Sequence, residues 1–215
     1  MPTLLKNNDI ILFIGDSITD CGRLLGNPSL GNGYVKMFAD IVTVREPEKQ
    51  IRIINRGISG NTVEDLRNRW HEDVLLKAPD WLSIKIGIND IHRHLFETGF
   101  EFLTLARFEQ VYDHLLQVTT QKLPQCRLLL IEPFFMSTDN ANDTYRAKVL
   151  KNIPEYIAVV QKLSQKFGTR LVKTHDLFHQ QFKHQHPDIY GDEPVHPNSA
   201  GHFLIAEAVY AALSI

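Results

Sequence analysis

Residues 10–20 read Ile10-Ile11-Leu12-Phe13-Ile14-Gly15-Asp16-Ser17-Ile18-Thr19-Asp20. A short run of large apolar residues ends here in a glycine and a polar pair. Strands that are buried on both faces have this continuous apolar pattern. The glycine and the acid after the run favour a tight turn into a helix. The stretch therefore predicts a buried parallel strand, with Ser17 just beyond its carboxyl end.

Four more apolar runs follow along the chain, and stretches of helical period lie between them. Apolar strands that alternate with helices predict a parallel sheet with helices on both faces. The sequence therefore predicts one doubly wound α/β domain over residues 1–215, with a five-stranded parallel sheet. The four further strands are predicted at 51–54, 81–86, 128–131 and 171–172.

Residue types at the ends of the helical stretches predict where helices begin and end. Asn61, with Glu64 three residues later, fits the N-cap of one helix. Pro154 is predicted in the first turn of another helix, which ends at Gly168. Asn198 is predicted to cap the last helix of the chain.

Composition argues against several classes of function. The chain carries 23 Lys+Arg against 25 Asp+Glu without a basic tract, so no nucleic-acid partner is expected. No run approaches the roughly 18 apolar residues of a membrane span, and the N-terminus lacks a signal-peptide pattern, so we expect a cytoplasmic protein. Cys21 and Cys126 are expected to be reduced thiols. The sequence does not reveal the oligomeric state.

Polar segments follow three of the predicted strands, at the sheet edge where ligands bind in such folds. Acyl transfer to water needs a hydroxyl nucleophile, a base, a group that orients the base, and donors for the oxyanion. Ser17 supplies a hydroxyl, and its own N–H lies at a helix N-terminus. The Gly60 N–H and the Asn89 side-chain amide are further candidate donors. His196 is the natural base.

Four sequence blocks carry a family resemblance. They are GDS with a following apolar residue, N-x-x-x-x-G, G-x-N-D, and an acid three residues before H-P, in that order. The chain thus resembles the SGNH/GDSL-type serine esterases and lipases, and segments 16–23 and 31–35 resemble their lysophospholipase-like bacterial branch. The blocks are Gly15-Asp16-Ser17-Ile18, residues 55–60, Gly87-Ile88-Asn89-Asp90 and Glu193-Pro194-Val195-His196.

This resemblance implies a flavodoxin-like three-layer α/β/α sandwich that works without a metal or an organic cofactor. It implies Ser17 as nucleophile and His196 as base, acting on a small-molecule ester. It also implies an oxyanion hole formed by the N–H groups of Ser17 and Gly60 and by the Asn89 side chain.

The acid of the last block departs from the family pattern. The family has Asp three residues before the histidine, whereas this chain has Glu193 there and Asp192 one position earlier. Glu is an orienting acid in other Ser-His hydrolases, which favours Glu193. Asp192 is the alternative, and a backbone carbonyl that orients His196 is a third interpretation.

Three residues near these blocks are candidates for a substrate pocket. His92 follows the third predicted strand and either lines the cleft or lies elsewhere on the surface. Phe134 and Phe135 follow the fourth and either wall an acyl pocket or fill the core. The polar segment 137–148 is predicted to form a mobile loop over the site. No metal site is expected from the histidines between 175 and 186, because they lack ligand spacing.

The sequence therefore predicts a serine-dependent hydrolase of carboxylic acyl esters that works through an acyl-enzyme. Short-chain acyl esters, carbohydrate acetyl esters and lysophospholipids all suit this machinery, so the substrate stays open. An acyltransferase with the same site is one alternative. A flavodoxin-like binding module is another, although the first strand is followed by neither G-x-x-x-x-G-K nor G-x-G-x-x-G.

Overall fold

The computed structural model describes residues 2–25 and 29–214, and a five-stranded parallel sheet forms its centre. The strands are β1 (Ile10–Gly15), β2 (Arg52–Gly57), β3 (Trp81–Lys85), β4 (Arg127–Ile131) and β5 (Arg170–Val172). Their order in the sheet is β2-β1-β3-β4-β5, and all neighbouring pairs are parallel. This is the strand order of flavodoxin-like folds, so the predicted fold class is confirmed.

Helices cover both faces of the sheet. Connections between parallel strands are right-handed. The chain runs from β1 to β2 on one side and then passes back over β1 to β3 on the other side. The first two connections therefore lie on opposite faces of the sheet. Accordingly α2 packs on α8, while α5 packs on both α3 and α6. The helices are α1 (Ser17–Asp20), α2 (Tyr34–Arg45), α3 (Val63–Asp73), α4 (Ile88–Phe96), α5 (Leu105–Lys122), α6 (Tyr145–Phe167), α7 (Thr174–Gln181) and α8 (Ser199–Leu213).

The two central strands, β1 and β3, are buried on both sides. Residues 11–14 of β1 are 0% exposed, and every residue of β3 is buried. The Phe13 ring packs edge-on against Tyr34 and Phe38 of α2. Two-sided burial explains why these strands read as continuous apolar runs. Lys85, at the end of β3, is the charged exception.

The N-terminus of α3 lies one residue later than predicted. Thr62 is the N-cap, and its N–H donates to Asp65 Oδ2 at 2.8 Å in a reciprocal capping box. The prediction of Asn61 with Glu64 is therefore wrong. The Asn61 side chain has another partner, because its Oδ1 accepts the Nε–H of Arg69 at 2.8 Å.

Helix α6 begins nine residues before Pro154, so the prediction that this proline starts the helix is wrong. Thr144 caps α6, and its Oγ1 accepts the N–H of Ala147 at 3.1 Å. The proline lies on the exposed side of the helix, and its missing N–H removes one hydrogen bond from the helix. Residues 145–148 of the predicted mobile loop form the first turn of α6.

Two other predicted helix ends are confirmed. Gly168 ends α6 with φ +61°, the left-handed conformation that glycine adopts easily. The Asn198 side chain caps α8 by accepting the N–H groups of Ala200 and Gly201 at 2.9 and 3.2 Å. Across the described ranges, no helix combines the length and apolar character needed to cross a membrane.

Candidate active site

Ser17 is the first residue of α1, directly beyond the carboxyl end of β1. This position lies beside the point where the strand order reverses between β1 and β3, which is where ligands bind in doubly wound sheets. Asp16 is the N-cap of α1, and its Oδ1 accepts the N–H of Ile18 at 3.0 Å. The backbone N–H of Ser17 has no acceptor within the described part of the chain. That N–H is therefore available to a ligand.

Asp16 forms a buried ion pair with Lys85 underneath the Ser17 turn. The Lys85 Nζ lies 3.1 Å from Oδ2 and 3.4 Å from Oδ1 of Asp16, and the two side chains are 1% and 0% exposed. Burial lowers the pKa of Lys85, and the negative charge of Asp16 opposes this shift. Asp16 is thus a structural acid that caps the helix and pairs with a lysine.

His196 contacts both Ser17 and Glu193 through its ring. The Ser17 Oγ lies 2.8 Å from Nε2, and Glu193 Oε1 lies 2.5 Å from Nδ1. Glu193 also accepts the N–H groups of Val195 and His196, at 2.9 and 2.6 Å. Partial burial raises the pKa of Glu193, but these hydrogen bonds outweigh it and the net pKa is lowered. An ionised Glu193 favours the tautomer with a proton on Nδ1, which leaves Nε2 to accept from Ser17.

The loop that holds Glu193 is hydrogen-bonded to another segment at the carboxyl edge of the sheet. The N–H of Met136 donates to the carbonyl of Pro194 at 2.7 Å, which joins this loop to the segment after β4. Asp192 is exposed and makes no hydrogen bond to the His196 ring. Of the two acids left open by the sequence, the structure brings Glu193 to the ring.

Gly60 lies in a turn that follows β2. The N–H of Asn61 donates to the carbonyl of Ile58 at 3.2 Å, and Gly60 has φ +78°, as a type II turn requires. The Gly60 carbonyl accepts from an Arg93 Nη at 2.8 Å, which fixes the turn. Its N–H makes no hydrogen bond within the described residues. Gly60 therefore offers a second available backbone donor.

Asn89 lies in the first turn of α4, beyond β3. Its Nδ2 donates to the carbonyl of Asn61 at 3.0 Å, which ties α4 to the Gly60 turn. A side-chain amide has two hydrogens, so the other one remains for a ligand. The neighbouring Asp90 is fully buried and accepts the N–H of Val63 at 3.0 Å, and burial raises its pKa to about 7. Asp90 thus braces the start of α3.

The family model for the GDSL-like Lipase/Acylhydrolase family matches residues 13–204. The match spans most of the chain and includes the segments that contain Ser17, Gly60, Asn89 and His196. This chain belongs to that family. As a GDSL-like acylhydrolase with an esterase relative of substantial identity, the protein is a carboxylic ester hydrolase.

The relatives of this GDSL-family hydrolase include an acetylxylan esterase. The acetylxylan esterase of Geobacillus stearothermophilus is 36% identical over 95% of this chain and 93% of that protein. Its crystal structure has a TM-score of 0.85 at 33% identity and covers 97% of this chain and 95% of that one. An uncharacterized Bacillus subtilis protein is 24% identical over 98% of this chain and 84% of its own length.

Solved structures of the Geobacillus esterase also include three catalytic mutants. In these a serine, an aspartate or a histidine is replaced by alanine.

The three candidate pocket residues of this GDSL-family enzyme have different surroundings. Phe134 is 0% exposed and packs on Phe178 with ring centroids 4.7 Å apart, which favours the interpretation that it fills the core. Phe135 is also 0% exposed, but its ring packs against His92 and Tyr145. His92 is half-buried and hydrogen-bonds to Tyr145 at 2.9 Å.

Lys85 and Tyr145 are not among the site residues predicted from the sequence. A lysine inside an apolar strand was the available signal for Lys85, because a buried charge needs a partner. An aromatic residue within a polar segment was the signal for Tyr145. Within the described residues there is no group of three or more His, Cys, Asp or Glu side chains that could hold a metal ion. Cys21 and Cys126 are free thiols.

Proposed function

We propose that this enzyme hydrolyses acetyl esters of carbohydrates, with Ser17 as nucleophile, His196 as base and Glu193 as the orienting acid. The observation that carries the proposal is the continuous hydrogen-bonded chain from the Ser17 hydroxyl through the His196 ring to Glu193. A nucleophile within 2.8 Å of a base, and a base oriented by an acid, are the arrangement that acyl transfer needs.

The comparison with the Geobacillus esterase supports both halves of this proposal. The serine, aspartate and histidine altered in its catalytic mutants have the same separations along the chain as Ser17, Glu193 and His196. The Geobacillus protein is described as an acetylxylan esterase and an acetyl-xylooligosaccharide esterase. We therefore favour an acetyl group as the acyl part and a xylo-oligosaccharide as the alcohol.

The reaction proceeds in two halves. His196 Nε2 takes the Ser17 proton as Oγ attacks the acetyl carbon, and the tetrahedral intermediate then expels the sugar oxygen, which receives that proton. Water attacks the acetyl-Ser17 ester in the same way, and acetate leaves as Ser17 recovers its proton. Glu193 stabilises the imidazolium that forms in each half.

The N–H groups of Ser17 and Gly60 and the second amide hydrogen of Asn89 stabilise the oxyanion. Replacing Asn89 by alanine should lower kcat by about 10²–10³-fold, because this donor acts on charge that develops in the transition state. The change in KM should be much smaller, since the neutral carbonyl binds the donor weakly. Steady-state kinetics with 4-nitrophenyl acetate measure both constants.

A matched control for this variant is Asn68→Ala, which removes an exposed asparagine amide from α3. Thermal unfolding of both variants checks that the Asn89–Asn61 contact is not essential for folding. A kcat for Asn89→Ala within threefold of the wild-type value would remove Asn89 from the oxyanion hole.

Product analysis tests the proposed substrate class. The wild-type enzyme should release acetate from acetylated xylo-oligosaccharides and should release no fatty acid from lysophosphatidylcholine. Chromatography of reactions with added xylose or methanol separates hydrolysis from acyl transfer, because a transferase would form a new ester. The carbohydrate proposal is wrong if acetylated xylo-oligosaccharides are not cleaved while a simple acetate ester is.

A further inference from the structure

An exposed aromatic surface connects α4 and α6. Phe96 and Tyr145 are 42% and 43% exposed, and their ring centroids are 5.1 Å apart. The His92 ring adjoins both, at centroid distances of 6.3 and 5.3 Å. We call these three side chains the aromatic platform. Most other aromatic rings in the described chain are buried, so a contiguous exposed group of this kind marks a candidate binding surface.

The platform is ordered by a hydrogen bond between two of its members and by packing on a buried phenylalanine. The Tyr145 hydroxyl lies 2.9 Å from His92 Nε2. Phe135, which is fully buried, packs edge-on against both rings. Burial lowers the pKa of His92 to about 4, so its ring is neutral at neutral pH. A surface that is already ordered loses little conformational entropy when a ligand binds.

The platform lies beside the catalytic loop. Met136, the residue after Phe135, donates its N–H to the carbonyl of Pro194 within the Glu193–His196 segment. Burial raises the pKa of Tyr145 to about 12, and the negative charge of Glu193 acts in the same direction. Glu193 and His196 also act electrostatically on His92. A ligand on the platform therefore lies next to the site of ester cleavage.

We propose that the aromatic platform binds the sugar ring whose acetyl ester is presented to Ser17, an inference that rests on the proposed carbohydrate esterase function. The C–H face of a pyranose packs on exposed aromatic rings, while its hydroxyl groups need polar partners at the rim. The segment that leads into Tyr145 supplies such partners in the exposed side chains of Asn140, Asn142 and Asp143. A fatty acyl chain forms no hydrogen bonds, so it would gain nothing from these polar side chains.

The test compares two acetate esters, one with a sugar and one without. For each variant, kcat/KM is measured with acetylated xylobiose and with ethyl acetate on the same protein sample, so a loss of folded enzyme cancels from the ratio. In Phe96→Ala and in Tyr145→Ala the sugar-to-ethyl ratio should fall about five- to tenfold, mainly through a higher KM for the sugar ester. The two residues lie on different helices, so a shared local unfolding does not explain a shared effect.

The matched control is Phe102→Ala, which removes a 55% exposed phenylalanine outside the platform and should keep the wild-type ratio. A wild-type ratio in either platform variant overturns the inference, as does an equal fall in Phe102→Ala. Failure of the wild-type enzyme to cleave acetylated xylobiose, with ethyl acetate cleaved, overturns the proposed function as well. Cleavage of both esters with an unchanged ratio in the variants overturns the platform alone.

Discussion

Alanine at Ser17 or at His196 should lower kcat by about 10⁴–10⁶-fold, because the members of a catalytic triad act as a unit. Ser17 provides the atom that forms the covalent bond, and His196 lies within 2.8 Å of it to receive the proton. Combining the two substitutions should cost little more than either one alone. Steady-state kinetics with 4-nitrophenyl acetate provide the rates.

Covalent labelling gives an independent readout of the same prediction. A fluorophosphonate should modify the wild-type enzyme once, at Ser17, and intact mass with peptide mapping identifies the residue. Neither Ser17→Ala nor His196→Ala should be labelled at an appreciable rate, since the hydroxyl is then absent or not activated. Labelling at another serine, or full labelling of His196→Ala, would show that this hydrogen-bonded pair is not the reactive centre.

The acid of the triad should matter less than the other two members. The side chains of Glu193 and His196 are 46% and 57% exposed, so water can partly replace the carboxylate at Nδ1. Glu193→Ala should therefore lower kcat by about 10²–10⁴-fold, with partial recovery in Glu193→Asp. Asp192→Ala is the matched control, because it removes a neighbouring exposed carboxylate that makes no bond to His196, and it should stay within twofold. A larger loss for Asp192 than for Glu193 would reverse the assignment.

The fold could be predicted from the sequence because burial of a strand on both faces requires apolar residues along most of its length. β1 and β3 are buried on both faces, so they are apolar along most of their length, with Ser83 and Lys85 of β3 as the polar exceptions, and this pattern predicts a parallel sheet. The segments that carry the candidate site could be predicted equally well, since ligand-binding residues of such sheets come directly after the strands. Glu193 was favoured for its position, and its contact with His196 is what the geometry adds.

Features that depend on distant contacts were not readable in this way. Helix α3 is capped by Thr62 rather than Asn61, and the Asn61 side chain instead accepts the Nε–H of Arg69, eight positions along the chain. Pro154 lies inside α6 because it happens to face solvent, and sequence alone does not orient that helix. Tyr145 was assigned to a mobile loop for the same reason, since its partner His92 is 53 positions away.

The Asp16–Lys85 pair also joins residues that are distant in sequence, and its removal should have a large effect on stability. Gly15 pairs with Lys85 across β1 and β3, so Asp16 follows directly beside the lysine. Lys85→Met would leave the Asp16 carboxylate buried without its partner, and the free energy of unfolding should fall by about 3–5 kcal/mol. Urea unfolding at pH 7 measures this change.

Asp16→Asn should show a different signature, in the pH dependence of stability. Asparagine still caps α1 through its side-chain oxygen. Without the negative charge, nothing opposes the effect of burial, which already lowers the pKa of Lys85 in the folded state. The unfolded chain then binds a proton that the folded chain has lost, so stability should rise as pH increases towards the unfolded lysine value of about 10.4. Urea unfolding at pH 7 and pH 9.5 compares this variant with the wild type.

The double variant Lys85→Met/Asp16→Asn separates the pair from its members. Replacing both charges leaves no unpaired ion and keeps the helix cap, so stability should recover by at least half of the Lys85→Met loss. Lys36→Met is the control, because its pair with Asp40 is exposed and should contribute less than about 1 kcal/mol. If Lys85→Met resembles Lys36→Met, the buried pair does not stabilise the turn. If the double variant is stable but has low kcat, the pair serves chiefly to hold Ser17 towards His196.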